Sequence, residues 1–176
     1  PDGNIALEMS LPTGIFTYRV FRDEVKFTLN LKMAVEGFYN FDEDKLNMND
    51  TVMIYLRDIN SPYSIVDSSR SVIDSVNFTG SFNFYNTNDG TYYLKIKHRN
   101  SIETWSKSGG EIFNSGTSSS FDFTSDSTQT YGNNVIRVSN TPALYAIYNG
   151  DVNQDDFVDL TDVLPIYMIT IVKHSL

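Results

Sequence analysis

The chain has 176 residues, a formal net charge of −9, no cysteine, 40% hydrophobic and 14% aromatic content. That length suits one domain with at most a small appendage, and the apolar content is enough for a core. The charge argues against nucleic acid or an anionic membrane as partner, the missing cysteines exclude disulfides and Cys-ligated zinc, and no run reaches the roughly 18 apolar residues of a membrane span.

The chain begins at Pro1 rather than Met, and is expected to be a mature or trimmed product of a secreted precursor. Residues 1–27 form an N-terminal β arm. Ile5, Leu7 and Met9 alternate with polar neighbours, a break follows at Leu11-Pro12-Thr13-Gly14, and Phe16, Tyr18 and Val20 begin a second alternation. The arm either packs on its own domain or adds a strand to a neighbouring subunit.

Residues 28–149 are expected to form a β-sandwich domain. The clearest strand runs over 27–39, with Phe27, Leu29, Leu31, Met33 and Val35 on one face. Residues 40–50 read as a solvated acidic loop. Asp42, Glu43 and Asp44 lack the spacing of a metal site. Residues 51–57 give a strand with Val52, Ile54 and Leu56 inward, and Asn60-Ser61-Pro62 turns the chain. Residues 76–84 give another, anchored by Phe78, Phe82 and Phe84, with Gly80 at an expected bulge or bend. Asp89-Gly90 is a hairpin signal, and residues 91–99 follow with Tyr92, Leu94, Ile96 and His98 on one face. Ser106 to Ser120 is rich in Ser and Gly. Strands are then expected at Phe121 and Phe123, over 135–138 and over 143–148. Many short strands separated by turns, with no long helical period before residue 159, mean an all-β antiparallel sandwich.

Residues 150–176 hold the segment with the most specific chemistry, Gly150-Asp151-Val152-Asn153-Gln154-Asp155-Asp156-Phe157-Val158-Asp159-Leu160-Thr161-Asp162. Side-chain oxygens fall at Asp151, Asn153, Asp155, Asp159 and Asp162, positions 1, 3, 5, 9 and 12 of an EF-hand-type loop, and Phe157 at position 7 offers a backbone carbonyl. The carboxylates among them would repel one another without a cation between them. Ca2+ is the expected ion, because it is hard and takes roughly six to eight oxygens. Two positions depart from the pattern: Asp156 stands where Gly makes the sharp turn, and Asp162 where a bidentate Glu is usual.

Asp at position 12, after Gly150-Asp151-Val152-Asn153-Gln154-Asp155, resembles the calcium loop of type I dockerin repeats in secreted bacterial proteins. Gly80-Ser81-Phe82-Asn83-Phe84, followed by Gly90-Thr91-Tyr92-Tyr93-Leu94-Lys95-Ile96, is similar to prealbumin-like and collagen-adhesin B-type modules, small Ig-like sandwiches of bacterial surface proteins. The two resemblances together cover about residues 28–165. They imply an Ig-like (prealbumin-like) sandwich with a C-terminal calcium loop and a short tail, on a protein secreted to the bacterial cell surface. A dockerin has two loop-helix repeats and this chain has one. Leu160 should begin a helix with Asp159 as N-cap. Pro165 interrupts it, and residues 166–176 suit helix or strand equally.

No nucleophile elbow, phosphate loop or HExxH motif is present. His98 reads as a partly buried strand-end histidine, and Lys97, Arg99, Glu103 and Trp105 as an ordinary salt-bridged cluster. The expected function is therefore non-enzymatic: an extracellular structural or adhesive module rigidified by Ca2+, and a homo-oligomer or filament subunit joined through the N-terminal arm or the C-terminal tail. The alternatives are a dockerin-type adaptor for a cohesin-like receptor and a carbohydrate-binding accessory module. For the last, the 11 tyrosines supply candidate stacking rings, although alternation assigns most aromatics to the core.

Overall fold

The computed structural model describes the backbone of residues 5–11 and 14–20, and residues 24–163 with their side chains. The arm is a pair of antiparallel strands, β1 (Ile5–Leu11) and β2 (Gly14–Val20), in register from Ile5 opposite Val20 to Leu11 opposite Gly14. The packing of its side chains and the tail after residue 163 lie outside the described residues.

The rest is all-β. A three-stranded sheet has β3 (Phe27–Lys32) at its centre, β8 (Thr79–Phe84) antiparallel on one side and β12 (Ser118–Asp122) parallel on the other. A larger antiparallel sheet is built from β6 (Asp50–Asp58), β7 (Ile65–Ile73), β9 (Gly90–Lys97), β10 (Thr104–Trp105) and β11 (Glu111–Phe113). Its order is β10-β9-β6-β7, and β11 also pairs with β9. Two small hairpins complete the described strands: β4 (Tyr39–Asn40) with β5 (Lys45–Leu46), and β13 (Ile136–Asn140) with β14 (Ala143–Ala146).

The alternation explains the core. Phe27, Leu29 and Leu31 of β3 and Phe82 and Phe84 of β8 meet Val52, Ile54 and Leu56 of β6 and Leu94 and Ile96 of β9 in one buried cluster. Phe27 joins the two sheets, its ring 4.8 Å from Phe84 and 4.3 Å from Phe113. Among the described Phe, Tyr and Trp side chains the fully buried ones are all phenylalanine, while Tyr39, Tyr92 and Tyr145 pack against the core half-buried. A buried phenol must find a hydrogen-bond partner and a phenyl ring need not.

Four expectations are corrected. The strand expected over 27–39 stops at Lys32: Met33 donates its N–H to the Phe78 carbonyl, Val35 bridges to Ile147, and Glu36–Phe38 form a 3-10 turn. The strand expected from residue 76 begins at Thr79, because Asp74 accepts the N–H groups of Val76, Asn77 and Phe78 in a tight turn. Gly80 is no bulge. It sits in regular register opposite Leu31, and a Cβ there would lie 2.8 Å from both the Val72 carbonyl oxygen and Ile73 Cδ1. Asp89-Gly90 makes no hairpin. It ends a crossover between sheets, held by the Asp67 carboxylate, which accepts from Tyr85 and Asn86 N–H and Thr87 Oγ1, while Asp89 accepts from Ser115 N–H at 2.6 Å. Among the described residues no helix is long and apolar enough to cross a membrane.

Candidate functional site

The acidic loop leaves the sandwich through a clamped segment. Ile147 bridges to Val35, donates to the Ala34 carbonyl and accepts from Glu36 N–H. On the other side Ile102 donates to the Tyr148 carbonyl, Ser101 bridges to Asn149, and Gly150 donates to the Asn100 carbonyl at 2.9 Å. The loop therefore begins at a fixed point. Gly150, at φ +116°, makes a turn that L side chains rarely adopt.

Within the loop, the carboxylates at the first and last candidate positions are the buried ones, Asp151 at 1% exposure and Asp162 at 4%. Asp151 accepts from Asp155 N–H through Oδ1 and from Asp156 N–H through Oδ2, each at 3.1 Å. Asp162 accepts from Val152 and Asn153 N–H through Oδ1 and from Asp159 N–H through Oδ2. It is covered by its own loop rather than by depth of protein. The Asp159 N–H bond above all, with those from Asn153 and Val152 and against the opposing effect of burial, holds its pKa below the usual carboxylate range. Asn153 donates to Asp155 Oδ2 and Thr161 Oγ1, and Asp155 Oδ1 accepts from Phe157 N–H. Asp159 accepts from Thr161 N–H and Oγ1 at 2.7 Å, which makes it the N-cap of the helical turn 160–163, as its place in the sequence implies.

The position that should be glycine is informative. Asp156 adopts φ +68°, the left-handed conformation a sharp turn needs there. Among non-glycine residues, Asp and Asn visit that region most readily. The side chain of Asp156 is exposed, so the backbone turn is kept without burying it.

The loop is chemically suited to a hard cation. It holds five aspartates, and none of the ion pairs among the described residues reaches them. The carboxylates are turned to backbone N–H groups, and among the described residues no three acidic or imidazole side chains are gathered closely enough to hold a metal by themselves. A cation here would be held by Asp151, Asn153, Asp155, Asp159 and Asp162 with the Phe157 carbonyl, and would supply the positive charge that the loop lacks.

A second polar cluster lies next to this exit around His98, and sequence reading missed its partner Asp50. His98, 2% exposed, has Nε2 3.3 Å from Asp50 Oδ2 and Nδ1 3.0 Å from Ser101 Oγ. Nδ1 also accepts from Asn100 N–H, so Nε2 carries the proton toward Asp50. Burial pushes the His98 pKa down, against the pull of Asp50. Arg99 pairs with Asp50 at 2.6 Å and, together with Thr51 N–H and His98, outweighs the effect of burial, so the Asp50 carboxyl titrates below its ordinary range. Ser, His and Asp stand in series here, but ring and hydroxyl are both sealed, Ser101 being 1% exposed. The cluster braces the Asn100 and Ser101 backbone that grips the loop. Asp50 lies 48 residues from His98 and is brought to it by the pairing of β6 with β9. The cluster expected around Lys97, Arg99, Glu103 and Trp105 divides, since Glu103 pairs instead with Lys95 and accepts from Trp105 Nε1.

Comparison with models of known families, with curated proteins and with solved structures found no match.

Proposed function

We propose that the chain is a non-enzymatic extracellular structural module in which Ca2+, bound by a dockerin-like loop, stiffens the exit from an Ig-like sandwich. The observation that carries this reading is the left-handed turn at Asp156, tied by its own N–H to the buried carboxylate of Asp151. It removes the objection that a non-glycine residue at position 6 would deny the loop its turn. The crossovers that place β6 beside β9 and β3 beside β8 support the Ig-like type, whose strands are joined by Greek-key connections. In this reading the protein is secreted to a bacterial cell surface and assembles with copies of itself through the arm or the tail.

Calorimetric titration of Ca2+ into chelator-stripped protein tests it, with melting temperature and particle size followed on the same samples. Saturable binding with a raised melting temperature, both lost in Asp151→Ala, is the expected result. No heat and no change in melting would end the calcium reading. A particle size that stays monomeric at high protein concentration with calcium would end the filament reading.

A second reading is favoured by the exposed apolar side chains of Phe157, Val158, Leu160 and Val163, with Leu160 83% exposed. They suit a receptor-docking end, as in a dockerin-type adaptor. Capture by cohesin modules that Leu160→Asp abolishes is its expected signature, and a clean negative removes it.

A further inference from the structure

The outward face of the larger sheet carries a feature that the calcium loop does not use. Pairing of Arg57 with Tyr93 and of Lys95 with Trp105 puts these four side chains on one face, opposite the core-facing Leu56 and Leu94. Tyr63 leans over them. The three rings of Tyr63, Tyr93 and Trp105 lie 6.1–6.2 Å apart, centroid to centroid. They meet at steep angles of 71°, 81° and 62°, so their faces and edges make walls rather than a stack. With Ser106 and Tyr131 they line an open cavity of about 290 Å3. That is close to the lower end of small-molecule sites, about 300–1,000 Å3.

The cavity is built rather than incidental. Trp105 Nε1 donates to Glu103 Oε1 at 2.6 Å, and Glu103 is held in turn by an ion pair with Lys95. The indole is thereby fixed in orientation. Arg57 lies against the same indole, its guanidinium carbon 5.3 Å from the ring centroid, and helps to fix it from outside the cavity lining. Tyr131, 65% exposed, and Tyr63 present large rings to water.

We propose that this cavity binds a neutral saccharide, one pyranose ring stacking on the tyrosine walls beside Trp105. Charge selects against the competing ligands. An aromatic box commonly takes a cation, but Arg57 at 5.3 Å and Lys95 at 5.9 Å already lie on Trp105. An anion would find no cationic side chain among the lining residues, with Glu103 alongside. A sugar offers apolar C–H faces for the rings. The site is independent of the calcium reading and stands or falls separately.

Trp105 is the only tryptophan in the chain, so its emission reports directly on the cavity. The test is fluorescence titration of the intact protein with soluble gluco-, xylo-, manno- and N-acetylglucosamine oligosaccharides, in both α- and β-linked forms where they exist. The expected result is a saturable change with at least one of them. Binding should weaken at least about tenfold in Tyr131→Ala and in Tyr63→Ala, with unaltered melting temperature, and be retained in Tyr131→Phe. No emission change up to millimolar sugar overturns the proposal. So does binding that survives the Tyr63→Ala/Tyr131→Ala double variant, or a response to a proline-rich peptide with none to any saccharide.

Discussion

Replacing Asp156 tests the loop at its point of strain. The residue sits at φ +68° with an exposed side chain, and its N–H is held by Asp151 Oδ2. A left-handed backbone costs an ordinary L-residue about 1–2 kcal/mol, with Asp and Asn at the favourable end, and glycine nothing. Glycine returns about 0.5–1 kcal/mol of that through its freer unfolded chain. Asp156→Gly should therefore gain a net of at most ~0.5 kcal/mol, a factor of up to about two in calcium affinity at 1.4 kcal/mol per decade. Removing a negative charge acts in the opposite direction, so the reference is Asp156→Asn, which loses the same charge and keeps the Cβ. Asp156→Val, β-branched where φ is positive, should lose about tenfold against the same reference, since strained backbone positions cost about 1–3 kcal/mol. Calorimetric titration of the chelator-stripped variants gives all three constants. The order Gly, Asn, Val from tightest to weakest is expected. Equal affinities for Gly and Val would refute the reasoning, because the left-handed turn would then play no part in binding.

Other consequences follow from the fold. His98 is held below its ordinary pKa by burial, and unfolding lets it take up a proton that the fold denies. Stability should be full above about pH 6.5 and fall below it, and urea midpoints should show a smaller decline over that range in His98→Gln. Phe82, fully buried between the sheets, should cost about 3–5 kcal/mol when cut to alanine, whereas exposed Ile112→Ala should stay within about 0.5 kcal/mol; chemical denaturation compares them. Gly80→Ala places a methyl 2.8 Å from the Val72 carbonyl oxygen, a backbone atom that cannot swing away. It should destabilise by about 1–3 kcal/mol, and an unchanged melting temperature would show that β7 and β8 separate easily.

The strands that could be read from sequence are those with one face in the core and one in water. β6 and β9 have Val52, Ile54 and Leu56, and Leu94 and Ile96, buried at every second position. β7 escaped notice because only Ile73 of Ile65-Val66-Asp67-Ser68-Ser69-Arg70-Ser71-Val72-Ile73 is buried. It is the end strand of its sheet, and its hydrogen bonds to β6 rather than its side chains make it a strand. Asp89-Gly90 misled for a related reason. A turn-forming dipeptide reports local backbone preference, and the two strands it joins belong to different sheets, a choice made by Asp67 from 20 residues away on Thr87. The polar core of the His98 cluster was equally hidden, since Asp50 is adjacent only after β6 and β9 pair. Alternation placed Tyr93 on the face opposite Leu94 and Ile96, but Tyr63 and Tyr131 lie in turns outside any strand, where no alternation tells an outward ring from a core ring.

The acidic loop proposed to hold calcium stood out in the sequence because its pattern is local. Oxygen-bearing residues at fixed intervals need no partner from elsewhere in the chain. What the spacing left open was whether Asp156 could turn, and the answer lies at position 1 rather than position 6. Asp151 Oδ1 takes the N–H of Asp155, and Oδ2 takes that of Asp156. The left-handed residue is thus imposed by a buried carboxylate that grips two successive amides, and the intrinsic preference of residue 156 is secondary. Asp151→Asn is the discriminating change. It preserves size but replaces one acceptor oxygen with an NH2 group that must face a backbone N–H, so the turn loses an anchor as well as a charge. Calcium affinity should fall by at least about tenfold, more than for Asp156→Val measured against Asp156→Asn. If Asp151→Asn binds calcium as tightly as the parent, position 1 does not shape the loop, and the tolerance of aspartate at position 6 has another origin.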